Sequence, residues 1–131
     1  MSTTAAELVA SAKAQVQNLD PVQFAEAASA PDAVVVDLRE ADERVQGTIP
    51  GAIHVPRGML EFRADPTSPY HDDRLAPGRP VLLHCASGGR SALAAETLRC
   101  LGYTDVAHLD GGIAAWSEAG QPVVNAHQPP Y

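Results

Sequence analysis

Basic residues are scarce in this 131-residue chain: lysine occurs once, at Lys13, and Lys and Arg together number 9 against 16 Asp and Glu. The net charge of −7 and the pI near 5.0 exclude the basic stripe that a nucleic-acid partner requires. Long apolar runs are missing too, none approaching the roughly 18 residues of a membrane span, so no bilayer crossing is expected. The first residues, Met1-Ser2-Thr3-Thr4-Ala5-Ala6-Glu7, hold neither a basic start nor an apolar core. No secretory signal is read there, and the cytoplasm is the default compartment. Cysteine occurs twice, as Cys85 and Cys100. They lie near opposite ends of a helical pattern, so a rise of about 1.5 Å per residue puts the sulfurs roughly 14 Å apart. A bridge needs Cα atoms within about 7 Å, so two free thiols are expected, with Cys100 a packing or surface residue. His54, His71, His84, His108 and His127 are scattered, none paired with a cysteine at ligand spacing, so neither a metal nor another cofactor is expected.

What is present is 45% hydrophobic residues, enough for one domain to bury a core without staples. Thr4 to Glu7 has the form of a capping box opening a helix to about residue 17, with Leu8, Ala12 and Val16 on one stripe. Asp20-Pro21 opens a second helix, with Phe24 beginning its apolar face and Pro31 closing it. Ala33-Val34-Val35-Val36 is a continuous apolar strand ending in Asp37, Leu38, Arg39 and Glu40. Ile49-Pro50-Gly51 turns into a short strand at Ala52 to Val55. Residues 57–80 are punctuated by prolines, with one helical turn at Met59, Leu60 and Phe62 before a polar loop. Further strands are expected at Val81 to His84 and Val106 to Leu109, and a last helix at Ile113 to Glu118. Strands alternating with helices through short connections predict an α/β domain: a mostly parallel central sheet flanked by helices on both faces.

Cys85-Ala86-Ser87-Gly88-Gly89-Arg90-Ser91 lies between an apolar strand and an alanine-rich helix, so a cysteine tops the strand and small residues fill the turn. Gly88 and Gly89 let successive N–H groups converge above the sulfur, backed by the positive end of the helix. A thiol held there is driven toward the thiolate, the form that attacks electrophilic sulfur or phosphorus, and Arg90 adds a fixed positive charge. Arg90 is expected to position an anionic donor, the alternative being a carboxylate partner. Asp37 and Arg39 brace the loop or form a structural ion pair, the pair being the simpler reading. Arg57 and Arg63 either recruit an anion or are solvated. Alternation turns His84 away from the sulfur, as a core histidine with its hydrogen bonds satisfied. Trp116 and Tyr103 read as core aromatics.

Five segments together resemble the single-domain rhodanese-like sulfurtransferases over about residues 19–123: Val36 to Glu40, Gly47 to Pro56, Cys85 to Ser91, Leu101 to Tyr103, and Leu109 to Trp116. The organisation that follows is a helical extension at 1–18, the domain at 19–123 and a loose tail at 124–131. Two departures stand out. Thr48 occupies a position where the family often has histidine, expected to be a surface matter, and 57–80 is a longer insert than minimal members carry. The resemblance implies transfer of a sulfane sulfur from thiosulfate or a related small anionic donor, through a persulfide on Cys85, to a thiol, cyanide or a sulfur-carrier protein. The backbone of Ala86, Ser87, Gly88, Gly89, Arg90 and Ser91 would hold that persulfide. Resembling phosphatases of the cell-cycle dual-specificity kind carry one more loop residue. Arg90 follows Cys85 by five positions rather than six, so sulfur is expected ahead of phosphate or arsenate. A non-catalytic binding module is the alternative from another class; such members usually lack the loop cysteine.

Overall fold

The computed structural model describes residues 2–126. In chain order its elements are α1 (Ala5–Gln15), β1 (Gln17–Leu19), α2 (Pro21–Ala28), β2 (Val34–Asp37), β3 (Ile53–His54), α3 (Leu60–Ala64), β4 (Val81–His84), α4 (Gly89–Cys100), β5 (Val106–Leu109) and α5 (Gly112–Glu118). Short 3₁₀ turns at Glu43–Gln46 and Arg57–Met59 complete it. Both expected helix starts are built as reciprocal caps: the Thr4 and Asp20 side chains accept from the N–H of Glu7 and Gln23, whose side chains reach back.

All five strands are parallel, in the order β1-β5-β4-β2-β3. Strand alternation sorts the core into two layers. Val34, Val36, Val81, Leu83 and Cys85 face one side with α3 and α4, whereas Val35, Leu82 and Leu109 face the other with Phe24 of α2 and Trp116 of α5. Phe24 and Trp116 meet edge to face at 5.8 Å and 81°. The chain leaving β2 turns outward to β3, while the chain leaving β4 turns the opposite way to β5. In an open parallel sheet a ligand crevice forms where connections diverge beyond the carboxyl ends of the strands, here beyond Asp37 and Cys85.

Several expectations need correction. β1 was not foreseen, because a three-residue polar strand, Gln17-Asn18-Leu19, has no apolar period. It pairs with β5 at the sheet edge, and the division expected between residues 18 and 19 falls inside it. On α1 only Ala12 is buried and Leu8 is 52% exposed, so the anticipated stripe is narrower. The helix is tied down elsewhere, by Lys13 to Asp110 at 2.9 Å and by Arg99 donating to the Gln15 carbonyl. The insert is not merely a polar loop: Leu60, Ala64 and Leu75 are fully buried, and the Tyr103 hydroxyl donates to the Ala64 carbonyl at 2.7 Å. At the tail, Val124 exchanges two backbone hydrogen bonds of 2.9 Å with Thr48. Residues 127–131 of the expected loose tail, with His127, lie outside the described residues.

Candidate active site

Cys85 follows β4 directly, and its residue surface is 1% exposed. Its Sγ accepts from the backbone N–H of Gly88 at 3.2 Å and of Ser91 at 3.4 Å, and the Ser91 hydroxyl lies 3.6 Å away. The helix begins three residues earlier than its apolar pattern indicates, at Gly89, so Gly89, Arg90 and Ser91 form its first turn. N–H groups of a first turn lack intrahelical acceptors and carry the positive end of the helix dipole. Sγ therefore sits where fixed positive dipoles converge.

Glycine shapes this cradle at two decisive positions. Gly88 has φ +106°, and a β-carbon there would stand 3.1 Å from the Gly111 nitrogen. Gly112 has φ +64°, and its β-carbon would stand 2.3 Å from the Ala86 carbonyl oxygen. The start of α5 is thus pressed against the loop, with Ile113 N–H donating to the Cys85 carbonyl at 2.9 Å and Ala114 N–H to that of Ala86 at 3.3 Å. Gly112 thus seats the last helix against the loop.

Arg90 forms a two-pronged fork with Glu43, at 2.7 and 2.8 Å. Of the two roles weighed for Arg90, the carboxylate partner is the one seen, since Glu43 from the 3₁₀ turn after β2 comes within reach only in the folded chain. The fork holds the Glu43 carboxyl down at about 2. Behind it, Arg39 donates to both Asp37 oxygens at 3.0 and 2.9 Å, and to the Glu43 and Gly47 carbonyls. Arg44 and Thr48 donate to Asp37 as well, at 3.1 and 2.8 Å. Burial pushes the Asp37 carboxyl up, but these donors, Arg39 foremost, hold it well below the usual carboxylate range. The ion pair and the brace are therefore one object: Asp37 and Arg39 hold the segment that presents Glu43 to Arg90. Thr48 is 4% exposed and belongs to this network, correcting the surface role expected of it.

Arg57 and Arg63 are not brought to Cys85. Arg57 pairs with Glu61 and reaches Thr97, two turns along α4 from the loop, and Arg63 reaches the Tyr70 carbonyl. His84 is fully buried, yet neither ring nitrogen has a hydrogen-bond partner among the described residues; Asp37 stands 3.8 Å off. It is a core histidine, but not a satisfied one. Burial pulls it down to about 4, against the attraction of Asp37. Both cysteines are free thiols, Cys100 on the surface. Among the described residues no group of three or more His, Cys, Asp or Glu is placed to hold a metal, and no helix is long and apolar enough to cross a membrane.

The model of the rhodanese-like domain matches residues 20–119. The chain belongs to the rhodanese-like family. Among rhodanese-like relatives, a sulfurtransferase of Allochromatium vinosum is 36% identical over 93 residues, 71% of this chain and 79% of that protein. A protein of unknown function from Rhodopseudomonas palustris, described as a possible tyrosine phosphatase, superposes with a TM-score of 0.88 at 36% identity, covering 95% of this chain and 96% of that one. The polysulfide-sulfur transferase homodimer of Wolinella succinogenes superposes with a TM-score of 0.72 at 29% identity, covering 94% and 90%. The chain is also 33% identical over 103 residues to the tRNA uridine(34) hydroxylase of Bacillus pumilus, of which it spans 31%. Membership and relatives together support sulfur transfer in general.

Proposed function

We propose that this rhodanese-like chain transfers a sulfane sulfur from thiosulfate or a related small anionic donor, through a persulfide on Cys85, to a thiol, to cyanide or to a sulfur-carrier protein. The reducing cytoplasm suits its two free thiols. The observation that carries the reading is the convergence of the Gly88 and Ser91 N–H groups on Sγ at the start of α4. The loop from Cys85 through Arg90 is also one residue shorter than in the resembling phosphatases, which favours sulfur over phosphate.

The Cys85 thiolate attacks the outer sulfur of the donor. A new S–S bond forms, the donor's S–S bond breaks, and sulfite leaves with the bonding electrons. An acceptor thiolate then attacks the outer sulfur of the persulfide, and Cys85 leaves as thiolate. At each stage the negative charge lies on sulfur within reach of the same N–H groups and helix end, which need no reorganisation as it moves. Arg90, although forked with Glu43, keeps further N–H donors that an anionic donor would meet.

Intact mass of the purified protein before and after thiosulfate tests this. The expected result is a reductant-sensitive gain of one sulfur, absent in Cys85→Ser and retained in Cys100→Ser. Equal loss in both variants would defeat the role given to Cys85. No gain with thiosulfate or any other sulfane donor would move the assignment to a binding module, and turnover of an aryl phosphate or arsenate instead would move it to the phosphatase reading.

A further inference from the structure

His108, in β5, is fully buried, and the transfer cycle above makes no use of it. Both of its ring nitrogens are engaged: Nδ1 lies 2.8 Å from the Ser91 hydroxyl and Nε2 lies 2.6 Å from the Asn18 Oδ1. The orientation of Asn18 is determined independently, because its Nδ2 donates to the carbonyls of Lys13 at 2.9 Å and Val16 at 3.1 Å. The oxygen must then face the ring, so Nε2 carries the hydrogen and Nδ1 is the acceptor. Ser91 has one hydroxyl hydrogen, and the shorter of its contacts directs it to Nδ1 rather than to the Gly88 carbonyl at 3.2 Å. That leaves the Ser91 oxygen to accept from the Cys85 thiol at 3.6 Å. A continuous, directed chain of hydrogen bonds runs from the sulfur through Ser91 and His108 to Asn18.

We propose that Ser91 and His108 form a buried proton relay that takes the Cys85 proton when the thiolate is needed and returns it when the free thiol is restored, with Asn18 setting the histidine tautomer. This rests on Cys85 being the nucleophile of sulfur transfer. In the forward step the S–H bond breaks and its proton passes to the Ser91 oxygen, while the Ser91 hydroxyl proton passes to His108 Nδ1. The products are a Cys85 thiolate, an intact Ser91 hydroxyl now donating to sulfur, and a His108 imidazolium donating to both Ser91 and Asn18. Proton count and charge balance with no other reactant. Ser91 thus adds a third donor to the thiolate at the moment it forms. His108 acts through Ser91 and is a positioning residue in that sense.

The groups facing His108 are Ser91 from α4, Asn18 from β1, Lys13 from α1 and Asp110 at the end of its own strand. Burial holds the ring below the usual histidine range, with Asp110 acting against this and Lys13 with it. At rest the ring is therefore a neutral acceptor, and it takes a proton only against the negative charge that the same proton leaves on Cys85.

The test uses the full chain carrying Cys100→Ser, so that iodoacetamide reports Cys85 alone. Ser91→Ala removes the hydroxyl and keeps the N–H to Sγ; His108→Phe removes the acceptor. Each is expected to slow alkylation at neutral pH about tenfold, because the relay populates the thiolate by internal transfer and its loss removes that population. The double variant should lose no more than either single one, because the residues act in series. In the otherwise unaltered chain, the ring nitrogens of His108 should show the Nε2–H tautomer by NMR and should shift at the same midpoint as Cys85 alkylation, a response lost in Cys85→Ser. An unchanged alkylation profile in both single variants, additive effects, or a ring that does not respond at the Cys85 midpoint would overturn the relay. The NMR arm holds even if His108→Phe fails to fold. Alkylation needs no sulfur donor, so a failed relay and a failed persulfide reading are separable: the mass measurement can fail while the coupled titration stands, and the reverse.

Discussion

Asp37 and His84 are neighbours at the ends of adjacent strands, both fully buried, and they illustrate opposite uses of a buried polar group. The Asp37 carboxylate receives hydrogen bonds from the side chains of Arg39, Arg44 and Thr48 and from the Arg39 backbone. Asp37→Asn leaves two arginines without their counter-charge and places an NH₂ group against donors. An uncompensated buried charge of this kind costs about 3 kcal/mol or more, and urea unfolding should show that loss. Donor turnover should fall as well, because the Glu43 segment loses its anchor behind Arg90. Sequence marked Asp37 and Arg39 as supporting residues on the strength of their place after a strand. It did not mark Glu43, His108 or Asn18, whose importance comes from partners 47, 17 and 90 positions away. Nor did it place Thr48 correctly: a threonine between a glycine and an isoleucine carries no local sign of a buried carboxylate above it.

At the scale of elements, the loop and α5 meet where only glycine fits. Gly112→Ala would set a β-carbon against the backbone of Ala86 and Ser87, at 2.3 to 2.6 Å, in a conformation that alanine already resists. Backbone does not yield as a flexible side chain does, so the loop must shift. A loss of about 2–4 kcal/mol in thermal or urea unfolding is expected from strain and overpacking together. Persulfide formation should drop by more than the stability change accounts for, since the displaced backbone is the cradle itself. A variant that keeps wild-type stability and sulfur loading would show that the loop does not depend on this seat. The strand, loop and helix pattern around Cys85 was legible because apolar periodicity and small residues are local signals. The earlier start of α4 was not, because Gly89, Arg90 and Ser91 carry no apolar period.

Over the whole molecule, the histidines decide how the fold responds to acid before the carboxylates do. His84 is lowered from 6.5 to about 4 and His108 is lowered as well, both by burial. A base with a depressed folded value is protonated first in the unfolded chain, so its contribution is complete above pH 6.5 and is lost as pH falls toward 4. Asp37 and Glu43, depressed by their arginines, lose their contributions as pH falls from the ordinary carboxylate range toward their lowered values. The melting temperature should therefore begin to fall between pH 6.5 and 4, with a further limb below. Neither ring nitrogen of His84 has a side-chain or backbone partner at hydrogen-bond distance among the described residues, so His84→Leu should flatten the upper limb, leaving the share due to His108, and should cost little at neutral pH. An upper limb unchanged by His84→Leu would assign the slope to other groups.

The parallel α/β architecture, the order of most elements, the free thiols and the glycine-containing loop headed by Cys85 are written in the sequence by itself. Each follows from residues near one another along the chain: period-two and period-3.6 apolar patterns, caps, and glycines in a turn. Tertiary structure alone decided that a polar tripeptide closes the sheet edge as β1, that the 57–80 insert contributes core, that Glu43 occupies Arg90, and that Cys85, Ser91, His108 and Asn18 line up. Those depend on which strands become neighbours, and strand order in a parallel sheet is set by the packing of helices on both faces, a global energy that no local window contains.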